Sequence, residues 1–340
     1  MSELSRQLKS FALRRSHAAP MRRVVIWTVF LLTLHSGWQF YRFADHFYGR
    51  GEIVARPPMV DGFLPIGSLM TLRYWLQTGH FDTIHPAGLV LFGAALLTAL
   101  LLKKGFCGYI CPVGTLSEAL YKTGERWMGR RLVPPAALDI PLRAVKYLLL
   151  AFFLYIVLFR MTAADIRAFL ADPYWKVADV KMLLFFTEAT RTTLIVLAVL
   201  VLLSLPIRNF WCRYLCPYGA LLGLLSLASP FQISRDEKTC IGCGRCARVC
   251  PAYLPVDRKK RIRSAECTGC LTCVSHCPAR GALDMAFWKY PVPPAFFLLL
   301  FLAVFFGLIG LAMWNGHWQS GVTYEEYKML LPRISHLGHP

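Results

Sequence analysis

The chain has 340 residues, of which 56% are hydrophobic and only 17% charged, with a formal net charge of +19. An average globular domain is about 45–50% apolar and about 25% charged, so a water-soluble two-domain protein is excluded, and disorder, collagen and coiled coil with it. All twelve cysteines fall in four short clusters, which points to a polytopic membrane protein carrying a metal module rather than to a secreted disulfide scaffold.

In chain order, residues 1–23 form a basic segment. Leu4, Leu8 and Phe11 with Arg6, Lys9, Arg14 and Arg15 read as an amphipathic surface helix on anionic lipid or as a disordered basic tail. Five apolar stretches follow, at 24–41, 84–102, 147–164, 192–207 and 292–314, near the roughly 20 residues a helix needs to cross a bilayer. No small-residue cleavage site follows the first, which reads as an uncleaved anchor. Trp288, Tyr290, Trp314 and Trp318 bracket the last as interfacial aromatics do. The segment 217–233 is apolar enough for a sixth span but reads as an interfacial or re-entrant helix.

With five spans, 27 Lys and Arg residues fall on the side of the N-terminus and 11 on the other. Positive residues stay cytoplasmic. The expected topology therefore has the N-terminus inside and the tail 315–340 outside. The basicity is topological, and nucleic acid is not an expected partner.

The strongest signal is a doubled cysteine run. Cys240, Cys243, Cys246 and Cys250 precede Pro251, and Cys267, Cys270, Cys273 and Cys277 precede Pro278. This is two-cluster ferredoxin spacing, in which the fourth cysteine of each run serves the other cluster. The expected sets are Cys240, Cys243, Cys246 and Cys277 for one [4Fe-4S] cluster, and Cys267, Cys270, Cys273 and Cys250 for the second. Gly242, Gly244 and Gly269 allow close approach of backbone amides. Zinc is the alternative, since paired C-x2-C also suits a tetrahedral site. Arg245, Arg248 and the basic run 258–261 are expected around the module, the run doubling as a solvated loop.

The other four cysteines sit in a repeat. Cys107, Tyr109, Cys111, Pro112 and Gly114 recur as Cys212, Tyr214, Cys216, Pro217 and Gly219 at a constant offset of 105 residues. The first four spans thus read as two copies of a two-helix unit. On one helix, C-x3-C places both sulfurs on a common face about a turn apart. Together the four thiols suit a third metal centre, a dithiol relay, or simple apolar packing.

The paired Cys-x3-Cys-Pro motifs, the two-cluster insert and the final span resemble the NapH-type membrane polyferredoxins, a family that includes the C-terminal half of the nitrous-oxide reductase regulator. The resemblance covers residues 24–314 and implies a bacterial inner-membrane protein, its tail 315–340 in the periplasm, that passes electrons between the quinol pool and a periplasmic or membrane redox partner. If catalytic, the chain is then a quinol dehydrogenase component. Flavin is not expected, because the regulator's flavin-binding domain has no counterpart here. Without a C-x-x-C-H motif, covalent haem is not expected either.

A quinol site needs an apolar slot and a proton acceptor. Candidates are His35, Gln39, His85 and Glu188, the Pro/Gly-punctuated loop 56–67, and Asp165, Asp172 and Asp179, spaced by seven as on one helical face. His317, His336 and His339 in the tail are candidate metal ligands. The expected architecture is an all-α five-span bundle (24–232 and 288–314) with a cytoplasmic ferredoxin-like α+β insert at 233–287. Two further functions fit the same motifs: a maturation factor that reduces a metal or disulfide in a partner, and a redox-sensing regulator.

Overall fold

The structure, a computed structural model, describes residues 18–129 and 132–338. The basic segment at 4–15 and His339 lie outside the described residues. The chain divides into two compact units, one of Met1–Phe30, Ala95–Leu150 and Leu200–Phe306, the other of Leu31–Ala94, Ala151–Val199 and Gly307–Pro340.

Three helices are long and apolar enough to cross a membrane: Ala18–His46, Ala137–Arg160 and Pro294–Trp314. Ala178–Thr187 and Arg191–Ser204 meet the criterion only as a pair bent by 77°, and Pro86–Leu102 is apolar but has 17 residues. Several expected bounds shift for local reasons. The third stretch ends in a π-helical turn at Ile156–Arg160, and Met161 beyond it is extended. The fourth stops at Ser204, where Pro206 disfavours helical backbone in the residue before it.

In the second unit, Asp165, Asp172 and Asp179 do not share one helix. Asp165 is the third residue of Ala163–Ala171 and forms a reciprocal capping box with Thr162. Asp172 caps the next short helix, Pro173–Lys176, by accepting from the Tyr174 amide. The Thr162 amide and hydroxyl hold the Asp165 carboxyl below its usual pKa. It therefore stays ionised until the pH falls below the ordinary carboxylate range, which ill suits a proton relay near neutrality. Thr162→Ala is expected to cost about 1 kcal/mol through the lost cap, read as a small drop in thermal midpoint.

The tail also folds within this unit. Thr323 and Glu326 form a second capping box at the head of Tyr324–Leu330. Tyr327, Leu331 and Ile334 pack in a core with Phe40, Phe43, Val177 and Val180.

The first unit carries a four-stranded antiparallel sheet in the order β2-β1-β3-β4: β1 is Phe231–Arg235, β2 Arg261–Ile262, β3 Leu283–Phe287 and β4 Tyr290–Val292. Ile233 pairs with Met285 in the central β1–β3 register; both are buried. The sheet thus extends the α+β module beyond the expected 233–287 at both ends. The stretch 217–233 is helical only over Pro217–Leu225, and its end, from Phe231, is β1.

Candidate metal centre

The two cysteine runs start with the same backbone. Gly242 and Gly269 have φ of 70° and 64°, and Gly244 and Leu271, one step after the second cysteine of each run, have 65° and 59°. Left-handed residues in such loops turn successive amide N–H groups to one side, as an anionic cluster requires. Glycine does this without steric cost. Leu271 bears a strain of about 1–3 kcal/mol and is anchored by near-complete burial.

A short helix follows in each run, Arg245–Val249 and Thr272–Ser275, and each run closes on Cys-Pro. A residue before proline is driven out of the helical region, and Cys250 is accordingly extended, with φ −65° and ψ 120°. Turned out of its own run, Cys250 lines one cavity with Cys267, Cys270 and Cys273. Cys277 lines a second with Cys240, Cys243 and Cys246.

Ligand sulfurs of one zinc ion lie under about 4 Å apart. Among the described residues, the one group of three or more His, Cys, Asp or Glu ligand atoms within 4.8 Å of one another is Asp61, His85 and Asp179. Each cysteine cavity gathers four thiols, the donor set that a [4Fe-4S] cube takes.

The two cavities differ electrostatically. Cys250, Cys267, Cys270 and Cys273 are all buried, whereas Cys243 is exposed. Burial pushes the Cys250 thiol up to about 12 and raises Cys267. The Gly242 amide and Arg235 lower Cys240. Because cluster ligation requires thiolates, the buried set needs nearby cations. Buried Lys103 lies within electrostatic range of Cys267, and Arg22 within range of Cys270. The run 258–261 is instead exposed, with Lys260 paired to Glu237. Arg248 donates to the Cys243 carbonyl at 3.0 Å. For Lys103 and Lys104 the sequence carried a signal, since they end an apolar stretch just before Cys107; for Arg22 it carried none.

Cys107, Cys111, Cys212 and Cys216 come together, though not on continuous helices. Cys107 lies in Gly105–Tyr109 and Cys212 in a π-helical turn, Trp211–Leu215. Cys111 and Cys216 are extended, with ψ of 116° and 104°, at the heads of Pro112–Met128 and Pro217–Leu225. The prolines cause both breaks. Burial pushes Cys107 up to about 12 and Cys111 up to about 11, with Cys216 raising both and Lys104 opposing. Cys212 rises for the same reason beside the other three.

This quartet abuts the second cysteine run. Tyr109 donates its hydroxyl to the Gly269 carbonyl at 2.9 Å, and a Cβ on Gly108 would lie 3.1 Å from the Thr268 carbonyl. Arg213 forks the Asp139 carboxylate at 2.6 and 2.7 Å, and Tyr214 donates to it at 2.7 Å.

In the other unit, His85 meets Asp61 of the loop 56–67 and Asp179. Its Nδ1 lies 2.9 Å from Asp61, and its Nε2 2.7 Å from the Trp175 carbonyl. Arg56 pairs with both aspartates, donating Nε to Asp179 at 2.8 Å. One Asp61 oxygen, Oδ2, is buried with no hydrogen-bond partner. The remaining candidates are dispersed. Gln39 donates to the Ala55 carbonyl, His317 packs on Phe81, and His35, Glu188 and His336 are exposed.

The family model described as a 4Fe-4S binding domain matches residues 84–134 and 192–235, where the cysteines are Cys107, Cys111, Cys212 and Cys216. A 4Fe-4S dicluster domain model matches 232–278. YccM of Escherichia coli K12, which bears the name of an electron transport protein, is 48% identical over 84% of this chain and 82% of its own. The ferredoxin-type protein NapH of the same organism is 30% identical over 54% of this chain and 59% of its own. The regulatory protein NosR of Pseudomonas aeruginosa is 30% identical over 54% of this chain and 25% of its own. No solved structure matches. With doubled cluster loops, membrane-length apolar helices and this identity over most of both chains, the protein belongs to the NapH-type family of ferredoxin-type electron-transport proteins.

Proposed function

We propose that the chain passes electrons between the membrane quinol pool and a partner oxidoreductase, using one [4Fe-4S] cluster at each four-cysteine cavity. What supports this reading is that Cys250 lines the cavity of the second run and Cys277 that of the first, in a chain with membrane-length apolar helices. Bound clusters would supply one-electron transfer. The protein's part is to fix their separation, their burial and the surrounding charge.

We read Pro86–Leu102 and the bent pair as further spans, giving five. The cysteine cavities then lie in the cytoplasm and the Asp61–His85 pair lies outside. The Cys107, Cys111, Cys212 and Cys216 quartet is read as the ligand set of a third centre. The maturation-factor reading needs a reactive thiolate at that place, and burial there favours the protonated thiol. A metal removes that obstacle, since ligation itself deprotonates the thiol.

Asp61 is the candidate proton acceptor: its buried Oδ2 has no hydrogen-bond partner, and His85 and Arg56 fix the carboxylate. The test is rapid mixing of oxidised protein with a menaquinol analogue while iron–sulfur absorbance is followed. Wild-type protein is expected to bleach, and Asp61→Asn to bleach on the order of 100-fold more slowly. Absence of bleaching in the wild type would overturn the quinol reading; equal rates would remove Asp61 from it.

A further inference from the structure

A cavity of about 310 Å³ lies at the head of the helix Ala18–His46 and belongs to neither cysteine site. Arg22, Arg23, Lys122 and Arg208 line it opposite two carboxylates, Glu118 and Glu125. Glu118 is fully engaged: Arg22 forks it at 3.2 and 2.6 Å, and Lys122 donates to it at 2.6 Å. Among the described residues, neither Arg23 nor Arg208 forms an ion pair with a carboxylate.

Arg208 lays its guanidinium 4.7 Å over the Tyr121 ring and donates one nitrogen to the Cys250 carbonyl at 3.1 Å. Tyr121 is 3% exposed, lines the same cavity, and its buried hydroxyl has no hydrogen-bond partner. The cavity thus gathers surplus positive charge, a planar guanidinium and an unused hydroxyl donor.

We propose that this cavity binds a phosphate-bearing anion, with Arg23, Arg208 and the Tyr121 hydroxyl as its donors. Guanidinium groups match phosphate oxygens in charge and in fork geometry. A basic pocket at the end of a membrane-length helix sits where anionic lipid headgroups lie. A soluble phosphate offers the same chemistry, so the test separates the two sources. The proposal does not depend on quinol.

The full chain would be purified in a zwitterionic environment, then given phosphatidylglycerol in one arm and inorganic phosphate in the other. Native mass spectrometry reads lipid retention, and calorimetry reads phosphate binding. Retention of phosphatidylglycerol is expected, weakened roughly fivefold by Arg23→Gln and on the order of thirtyfold by Arg23→Gln with Arg208→Gln. Tyr121→Phe, which preserves the ring under Arg208, is also expected to weaken it and guards against misfolding of the double variant. Binding of phosphate without the lipid would assign the cavity to a soluble anion and uphold the chemistry. Equal binding by wild type and all variants, or none in either arm, would overturn it.

Discussion

Cys250→Ser is expected to abolish the cluster assigned to Cys267, Cys270 and Cys273 while leaving the other intact, although Cys250 belongs by sequence to the first run. Iron and acid-labile sulfide should each fall by about half of the two-cluster content. Cys277→Ser should remove the other cluster instead. The reason is local: Pro251 forces Cys250 into extended backbone, which carries its thiol to the second cavity. The surviving cluster gives each variant a distinct electron paramagnetic resonance signal, because the Cys240 site has an exposed ligand and the Cys267 site is buried. If Cys250→Ser and Cys277→Ser gave the same residual signal, the exchange of fourth ligands would be refuted.

Arg56→Met should be the most destabilising change in the second unit. Arg56 joins Asp61 and Asp179, both fully buried and both within pairing distance. Removing one partner of a buried ion network costs about 3–5 kcal/mol, because the charges left behind lose solvation and receive nothing in return. Here two carboxylates would be stranded. Of these two, His85 hydrogen-bonds Asp61 alone, and its single charge could offset only one of them. Combining Arg56→Met with Asp179→Leu should recover part of the loss, since it removes one stranded charge. Unfolding followed by tryptophan fluorescence is a suitable readout, because Trp175 packs edge-on against His85 at 4.6 Å. A loss below about 1 kcal/mol, as for an exposed pair, would contradict this account.

How far the sequence foretold these features depended on the range of the interactions. The cysteine spacing specified both loops, because three cysteines of each lie within seven residues and Pro251 and Pro278 constrain the backbone of the fourth. The quartet can be paired from its repeat, but its geometry differs from the helical reading. C-x3-C suggests one helix face, whereas Cys111-Pro112 and Cys216-Pro217 each break the helix at the second thiol. That signal was present and outweighed by the spacing.

The same holds for Asp165, Asp172 and Asp179. Their seven-residue interval suggested a common face, while Thr162 three residues before Asp165, and Pro173 directly after Asp172, marked two helix starts. By contrast, nothing local joins Asp61, His85 and Asp179. They come from three elements and are assembled by tertiary packing around Arg56, so the sequence offered each only as a separate candidate. The cavity lined by Arg23, Tyr121 and Arg208 was hidden for the same reason.

The most direct test of the central claim is an anaerobic redox titration of the protein in lipid nanodiscs, monitored by electron paramagnetic resonance, followed by addition of a reduced menaquinol analogue. Potentials of such clusters range over about −700 to +450 mV, so the measured midpoints decide whether quinol can reach them. The account predicts two separable cluster signals, at least one with a midpoint near that of the analogue, and its appearance on adding the analogue. Midpoints far below the analogue, with no signal after its addition, would contradict it and require electrons to enter from a soluble carrier.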